Sequence, residues 1–368
     1  MTTMQSSQVS QSVRQSNMEL LRIVAMYMIV VYHTVYYVFY NYRGESPIFA
    51  SLMTILHIGV PLFVLISGYF GIKPSIKGFL KLYLILLFYN LSLYAVRLVY
   101  GDVDFSYSEL VKLCLPFSIG GRWWFFKVYL MLYLFSPILN FVRDKTGGGK
   151  LLIISGFITF YWGWFAQHPS LFDGKNVVNF IFLYMLGHWL RKKIVERQEN
   201  NNKGRLQYII AYFVVAVSIG LALYFSNEVM QEHIKRLCYG YNSPILILMS
   251  VLFFLIFTTF DFKSKAVNWV AGSVFAVYCI HEAQYFFRAE WYNFFEQQYM
   301  TNGDTFPLVW IGVCLALFVI CILIDKVREL ITNPIIRPLE SIIQKGVGFC
   351  DKKLQVLKKR ISRILFTR

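Results

Sequence analysis

Charged residues are scarce in this chain, and acidic residues are the scarcest of them. Asp, Glu, Lys and Arg make up 15% of the 368 residues, with 20 acidic against 36 basic side chains. An average soluble domain has about 25% charged residues. Hydrophobic residues make up 57% of the chain. The composition therefore predicts a protein that lies mostly in lipid.

The sequence also lacks the patterns of metal and redox proteins. Its six cysteines include no CxxC pair, and most of them fall inside apolar runs, where cysteine behaves as a small buried hydrophobic residue. No spacing of His and Cys matches that of a zinc site. We therefore expect no metal cofactor.

Long apolar stretches are what the chain has in abundance. A hydrocarbon core of about 30 Å takes roughly 20 helical residues to cross, and segments of this kind must be helices because lipid offers the backbone no hydrogen-bond partners. We expect an all-α, polytopic membrane protein with about ten transmembrane helices. A shorter apolar piece at 107–119 is interpreted as interfacial or re-entrant on the outer side. The ten stretches are 19–40, 51–70, 77–100, 123–141, 151–165, 177–190, 206–225, 243–260, 267–287 and 306–326.

The distribution of basic residues predicts the orientation. With the N-terminus inside, most of the 36 Lys and Arg residues fall in cytoplasmic loops or after the last stretch. The positive-inside rule therefore predicts that both termini are cytoplasmic. Contact with anionic lipid then explains the net charge of +16, and nucleic acid is not an expected partner.

Three parts are predicted along the chain. Residues 1–18 form a polar cytoplasmic lead-in, residues 19–326 the transmembrane domain, and residues 327–368 a basic cytoplasmic tail. Beyond Asn333 and Pro334 the tail alternates basic and apolar residues, which is typical of an amphipathic helix on the inner leaflet. Membrane lipid is thus a predicted partner, whereas the sequence does not determine an oligomeric state.

Ionisable side chains inside the apolar stretches are candidates for function, since each costs about 2.5–3.5 kcal/mol on insertion scales. His33 follows Arg22 by eleven residues, which returns to the same helix face about 16 Å further along the axis. His281, followed by Glu282, lies near the outer end of the ninth stretch, and His57 lies at mid-depth in the second. An imidazole exchanges protons near neutral pH. The alternative for each is a core histidine bonded to a neighbouring helix.

Three lysines precede or begin the third stretch. Lys73, Lys77 and Lys81 are spaced four apart, which predicts that they line one face of a helix entering the membrane from the cytoplasm. Three ammonium groups in a row suit the phosphates of a nucleotide-like cofactor. The alternative is that they only anchor the helix by extending to the headgroups.

Four motifs, taken in order, resemble those of the membrane acyltransferase-3 family, which contains bacterial O-acetyltransferases of cell-surface polysaccharides. The likeness covers nearly the whole predicted membrane part. The motifs are Arg22-Ile23-Val24-Ala25 with His33; Pro61-Leu62-Phe63-Val64-Leu65-Ile66-Ser67-Gly68-Tyr69-Phe70; Trp123-Trp124-Phe125 leading into Tyr133-Leu134-Phe135-Ser136-Pro137-Ile138-Leu139-Asn140; and Tyr278-Cys279-Ile280-His281.

The resemblance implies transfer of an acyl group, expected to be acetyl, from cytoplasmic acyl-CoA to a hydroxyl of a surface polysaccharide or lipid-linked sugar. It implies that the protein is multi-pass in the bacterial cytoplasmic membrane. It further implies that His33 is the catalytic histidine, Arg22 a pore-lining cation and His281 a second catalytic residue. In the family a Ser commonly stands seven residues before the later histidine, where this chain has Val274.

The same resemblance assigns Lys73, Lys77 and Lys81 to the phosphates of CoA, where the family often has arginines. Lysine binds phosphate as a point charge rather than as a fork. Trp123 and Trp124, with Glu282, are candidate contacts for the sugar acceptor. The alternative for the two tryptophans is an aromatic belt at the membrane interface.

The implied chemistry suits these residues. A sugar hydroxyl is a weak nucleophile, and a neutral histidine acting as general base typically contributes about 10²–10⁴-fold in rate. An acyl-histidine intermediate is the other route, and the sequence does not choose between them.

Two other functions remain as alternatives. A transporter or flippase for a polysaccharide or lipid-linked oligosaccharide also places ionisable groups in helices, but it predicts inverted repeats and broken helices that the sequence does not clearly show. An assembly subunit of an envelope-polysaccharide machine would leave His33 without a purpose. The acyltransferase is therefore the favoured hypothesis.

Overall fold

The computed structural model describes residues 15–39, 47–101, 103–115, 123–196, 201–281, 293–294, 297–298, 301 and 308–334. Within these ranges every regular element is a helix, which confirms the all-α prediction. Residue Glu282, nearly all of the predicted lead-in and the predicted amphipathic tail beyond residue 334 lie outside the described residues.

Fourteen α-helices are numbered in chain order, and a π-helix (Ile158–Phe165) and a short 3₁₀-helix (Phe172–Gly174) lie between α7 and α8. They are α1 (Ser16–Phe39), α2 (Pro47–Leu56), α3 (Gly59–Phe70), α4 (Ile76–Tyr100), α5 (Tyr107–Cys114), α6 (Trp124–Thr146), α7 (Gly149–Phe157), α8 (Val177–Glu196), α9 (Asn201–Phe225), α10 (Glu228–Tyr239), α11 (Pro244–Thr258), α12 (Lys265–Ala271), α13 (Val274–His281) and α14 (Leu308–Pro334).

Five segments of the described part are long and apolar enough to cross a membrane, the first of which joins the end of α2 to α3 across the turn at residues 57–58. They are Leu52–Phe70, Ile76–Tyr100, Trp124–Thr146, Gly204–Phe225 and Leu308–Pro334. A sixth span results if α10 and α11, which meet at a bend of 51°, are counted together. The number ten therefore stays a prediction. The ninth predicted stretch is divided by a break at residues 272–273 into α12 and α13, and its last residues lie outside the described ranges.

The starts of some helices meet the ends of others, as expected for a bundle whose helices alternate in direction. The contacts at one end of the bundle join the starts of α1, α9 and α12 to the end of α11 and the residues that follow it. They are the hydrogen bonds Ser264 N to Ser16 Oγ (2.9 Å), Asn17 Nδ2 to the carbonyl oxygen of Phe257 (3.1 Å) and Arg205 Nε to Thr259 Oγ1 (2.8 Å).

We call this the basic end, because α6 and α8 also finish there, beside the end of α3, and bring Arg143 and Arg191 with them. The opposite end is where α1 and α13 finish and where α8 and α11 begin. The basic end corresponds to the side that the distribution of Lys and Arg predicts to be cytoplasmic, and that orientation remains a prediction. The basic cluster consists of Arg22, Lys77, Arg143, Arg191 and Arg205.

The centre of the bundle depends on a close crossing of α3 and α8. A Cβ atom placed on Gly68 would overlap the backbone carbonyl group of Tyr184, and one on Gly187 would overlap that of Leu65. Only glycine allows the two backbones to approach so closely. The crossing fixes the end of α3, whose residues Tyr69 and Phe70 contact the basic cluster.

Candidate active site

Two histidines meet at the opposite end of the bundle. The Nδ1 atom of His33 in α1 lies 2.9 Å from the Nε2 atom of His281, the last residue of α13. His281 is 1% exposed, whereas His33 is only partly buried. The two histidines that the sequence singled out separately, 248 residues apart, therefore form one pair.

The proton positions in this pair follow from its hydrogen bonds. His281 Nδ1 lies 2.7 Å from the carbonyl oxygen of Val277, which accepts hydrogen bonds and never donates them. Neutral His281 therefore carries its proton on Nδ1 and accepts at Nε2. The bond to Nε2 must then be donated by His33 Nδ1, so that the unprotonated nitrogen of neutral His33 is Nε2. This is the tautomer that a general base at Nε2 requires.

An aromatic layer surrounds the pair. His57, in the turn between α2 and α3, has its ring 4.6 Å from that of Tyr32 and 4.3 Å from that of Tyr241. Tyr32 directly precedes His33 and contacts its ring at 5.8 Å. Among the described residues, the buried Nδ1 of His57 has no hydrogen-bond partner. His57, which the sequence offered as the weaker candidate, thus lies next to the histidine pair rather than apart from it.

The two tryptophans differ in their surroundings. Trp123 is 3% exposed and packs edge-on against Tyr278, with ring centroids 5.4 Å apart. Trp124 is half-buried, and its ring lies 5.2 Å from that of Tyr241 and 5.7 Å from the ammonium group of Lys175. Burial leaves Trp123 with a packing role in this structure. Trp124 remains a candidate contact for the acceptor. Glu282, the other candidate, lies outside the described residues.

Arg22 lies at the basic end, on the same helix as His33. Its Nη1 forms a 2.8 Å ion pair with Oε1 of Glu19, and its guanidinium group lies 5.9 Å from the ring centroid of Phe70. The side chain is 33% exposed. A cation so placed is able to meet an anionic group that enters the bundle at this end.

The expectation that three lysines line one helix is wrong for Lys73. Helix α4 begins only at Ile76, because Ser75 adopts an extended conformation and caps the helix by accepting a hydrogen bond from the amide of Gly78 at 3.0 Å. Pro74 also disfavours a helical conformation for the residue before it. Lys77 and Lys81 do lie one turn apart on α4, and all three lysines are exposed.

Sequence reasoning missed two arginines that contact the end of α3. Arg191 donates from Nη1 to the carbonyl oxygen of Tyr69 at 3.1 Å and lies 5.7 Å from its ring centroid. The Nη1 atom of Arg143 lies 3.2 Å from the position that a Cβ on Gly71 would occupy. Their position just beyond an apolar stretch was used only to predict orientation. The same position, just beyond an apolar stretch, also indicates that Arg143 and Arg191 are cations at the end of a helix.

A proton acceptor and a group of cations lie at opposite ends of α1. The proton-accepting nitrogen of His33 is at one end, and cationic groups that suit phosphates are at the other, about 16 Å away along α1. In the described ranges, no group of three or more His, Cys, Asp or Glu side chains is placed to hold a metal ion.

Comparison with known proteins found one family. The model of a family described as an acyltransferase domain matches residues 15–326, which is most of the chain. The matched range includes both histidines of the pair and every cation of the basic cluster. No curated protein and no solved structure matched the chain.

Proposed function

The chain belongs to the acyltransferase 3 family, and from this premise we propose that it transfers an acyl group, acetyl in the first instance, from acyl-CoA to a hydroxyl of a surface polysaccharide or lipid-linked sugar. It is an all-helical acyltransferase, and five helical segments of its described part are long and apolar enough to cross a membrane. The proposal adds the donor, the acceptor, the residues that carry the reaction and a multi-pass location in the bacterial cytoplasmic membrane.

The hydrogen bond between His33 and His281 is the observation that carries the mechanism. Because the carbonyl oxygen of Val277 sets the tautomer of His281, and His281 in turn sets that of His33, the basic nitrogen of His33 is Nε2. His33 is the general base in this proposal. His281 is a positioning residue that holds the ring of His33 and its tautomer.

The reaction proceeds by proton removal and acyl transfer. Nε2 of His33 takes the proton from the acceptor hydroxyl as its oxygen attacks the thioester carbonyl carbon. A tetrahedral intermediate forms and then breaks its C–S bond, and the proton held on His33 passes to the leaving sulfur. The products are an ester of the acceptor and CoA with a free thiol. While His33 is cationic, its bond to Nε2 of His281 becomes charge-assisted and therefore stronger.

The basic end holds the donor in this proposal. Arg22 lies on α1 with its side chain 33% exposed, and Lys77 and Lys81 lie in the first turns of α4, with Lys73 on the segment before them. These cations suit the phosphates of CoA. The extended pantetheine arm of CoA then leads along α1 toward His33. Separating the anionic head from the reacting thioester in this way lets donor and acceptor arrive from different ends.

The test is transfer from labelled acetyl-CoA by purified protein in nanodiscs, with an extract of surface glycans as acceptor. We expect wild type to release CoA and label the glycan, and His33→Ala to bind acetyl-CoA but to transfer nothing measurable above background. The control is Ser218→Ala, since Ser218 is an exposed residue of α9 whose hydroxyl group bonds only within its own helix, to the carbonyl oxygen of Val214. It should transfer as wild type does.

Two results would overturn the proposal. Equal transfer by His33→Ala and wild type would remove His33 as the base. Absence of binding of any acyl-CoA by folded wild-type protein would remove the donor and favour the transporter hypothesis.

A further inference from the structure

A cavity of about 770 Å³ opens at the opposite end of the bundle. One wall is the connection between the π-helix and α8, and the other is α10 with the residues after it. This volume falls within the range of about 300–1,000 Å³ that is common for ligand sites. The polar side chains that line it are those of Gln167, Asp173, His233, Lys235, Arg236 and Asn242.

Hydrogen bonds hold the two walls together. The amide of Tyr241 donates to the carbonyl oxygen of Asp173 at 2.7 Å, and Nδ2 of Asn242 donates to that of Leu171 at 3.2 Å. From α8, Nδ2 of Asn179 donates to the carbonyl oxygen of Tyr241 at 3.1 Å. The cavity is thus a formed feature of the fold, as ligand sites generally are.

The charges that line the cavity do not balance. Lys235 and Arg236 carry two positive charges, and His233 adds a third when protonated. Among the described side chains of the lining the one carboxylate is that of Asp173, and it forms a 3.0 Å ion pair with Lys175. The described lining therefore carries more positive than negative charge. Because Arg236 is exposed, its attraction for an anionic ligand is screened by solvent and weakens as salt rises.

Arg236 is the strongest anion-binding group of this lining. Together with Trp164, Gln167 and His233 it also lines an adjoining cavity of about 250 Å³, to which Phe165 contributes. A guanidinium group binds a carboxylate or a phosphate through two parallel hydrogen bonds. The joined cavities offer this group beside flat aromatic surfaces, a combination suited to a sugar that carries an acidic substituent.

Three rings in succession, those of Tyr239, His57 and Tyr32, lie between the cavity and the histidine pair. Tyr239 lines the cavity, and its ring centroid lies 6.4 Å from that of His57. His57 contacts Tyr32, the residue before His33. A molecule in the cavity is therefore close to the proposed general base but not yet at it, as expected for the part of an acceptor that is recognised rather than modified.

We propose that this cavity binds the acceptor and that the acceptor is anionic, with a carboxylate or phosphate group near the hydroxyl that is acylated. This inference rests on the proposed function. Arg236 is its main specificity-determining residue, and Lys235 and His233 reinforce the positive field.

The experiment measures binding, so that it is independent of catalysis. Wild-type protein in nanodiscs is titrated calorimetrically with three soluble probes of equal length: an oligogalacturonate, an oligomer of glycerol phosphate and a neutral malto-oligosaccharide. We expect at least one acidic probe to bind roughly tenfold more tightly than the neutral one, with an affinity that falls as salt rises. Which acidic probe binds better distinguishes a carboxylate from a phosphate.

The variant Arg236→Gln should lose most of this preference, and it should fold because Arg236 is exposed. The control is Lys112→Gln, since Lys112 is an exposed cation of α5 that does not line the cavity. Equal affinity for acidic and neutral probes, no binding of any probe, or an unchanged preference in Arg236→Gln would each overturn the inference.

Label transfer in the same preparations separates this inference from the proposed function. Transfer to neutral glycans without any preference for acidic ones would leave the acyltransferase proposal standing and remove the anionic acceptor. Selective binding of acidic probes without transfer from any acyl-CoA would retain an anion-binding cavity and remove the proposed reaction.

Discussion

Tyr89 of α4 donates a 2.9 Å hydrogen bond from its hydroxyl group to Oδ1 of Asp325 in α14. The same oxygen accepts a 2.7 Å hydrogen bond from Nε of Arg328. Asp325 is fully buried and Arg328 is 6% exposed. A carboxylate and a guanidinium group thus neutralise each other within the bundle, and the tyrosine joins α4 to the pair.

Removal of this carboxylate should destabilise the protein strongly. Asp325→Asn leaves the buried charge of Arg328 with only the longer 3.9 Å contact to Glu329, and breaking a buried pair costs about 3–5 kcal/mol. The control is Glu196→Gln, because the Lys193–Glu196 pair has a similar distance of 2.9 Å but side chains that are 50% and 45% exposed. Loss of that pair should cost at most about 1 kcal/mol. Thermal unfolding midpoints in detergent measure both, and equal midpoints would contradict the prediction.

The crossing of α3 and α8 should not tolerate a methyl group. In Gly68→Ala the new Cβ would overlap the carbonyl group of Tyr184, which is backbone and so cannot rotate away. We expect the helices to separate, the midpoint to fall and acyl transfer to fall with it. Gly312→Ala is the control, since Gly312 is exposed near the start of α14 and a Cβ there meets nothing within 4 Å. It should be neutral or stabilising by up to about 1 kcal/mol. Similar losses in both variants would argue against the crossing as the cause.

The sequence was sufficient to predict the class of fold and the approximate positions of the long helices. The stretch predicted at 77–100 is observed as Ile76–Tyr100, and that at 206–225 lies within Asn201–Phe225. The length of an apolar run and the residues that cap it determine such bounds locally. The breaks at 57–58 and 272–273 were not predicted, because the apolar pattern continues through them.

Contacts between helices could be predicted only in part. The period of a helix showed that Arg22 and His33 share a face, but it carries no information on what faces them. The pairing of His33 with His281 joins residues 248 positions apart, and the cavity beside Arg236 is formed by α10 and a distant connection. For Lys73 the spacing predicted a position on α4, but the helix begins only after the cap at Ser75, so Lys73 lies outside it.

His281 should act through His33. In His281→Ala, Nδ1 of His33 loses its acceptor and the ring is no longer held in one tautomer. We expect kcat to fall by roughly 10²-fold, within the range for general-base catalysis, while KM for acyl-CoA changes little. His281→Gln should recover part of the loss because its side-chain oxygen is able to accept the same hydrogen bond. Steady-state kinetics of label transfer test this split. A main effect on KM, or no recovery with Gln, would argue that His281 has a different role.

The lysines of α4 should affect the donor rather than the chemistry. Lys77 and Lys81 lie one turn apart at the basic end and are exposed, so each should attract the phosphates of CoA through solvent. Replacing either with Gln should raise KM for acyl-CoA roughly two- to fivefold, as expected for an exposed charge pair worth up to about 1 kcal/mol, and leave kcat unchanged. Lys73→Gln should have a smaller effect, since Lys73 lies outside the helix and its side chain is not held in register with the other two.

The control for these variants is Lys150→Gln, an exposed lysine in the first turn of α7. If any positive charge at the basic end attracted CoA equally well, Lys150→Gln would raise KM for acyl-CoA as much as Lys77→Gln does. The rise in KM would then disappear at high salt in all of these variants. A response confined to α4 would instead mean that the phosphates have a defined position there. That position would define where acyl-CoA enters the protein. The pantetheine arm would then have to carry the acyl group along α1 to reach His33.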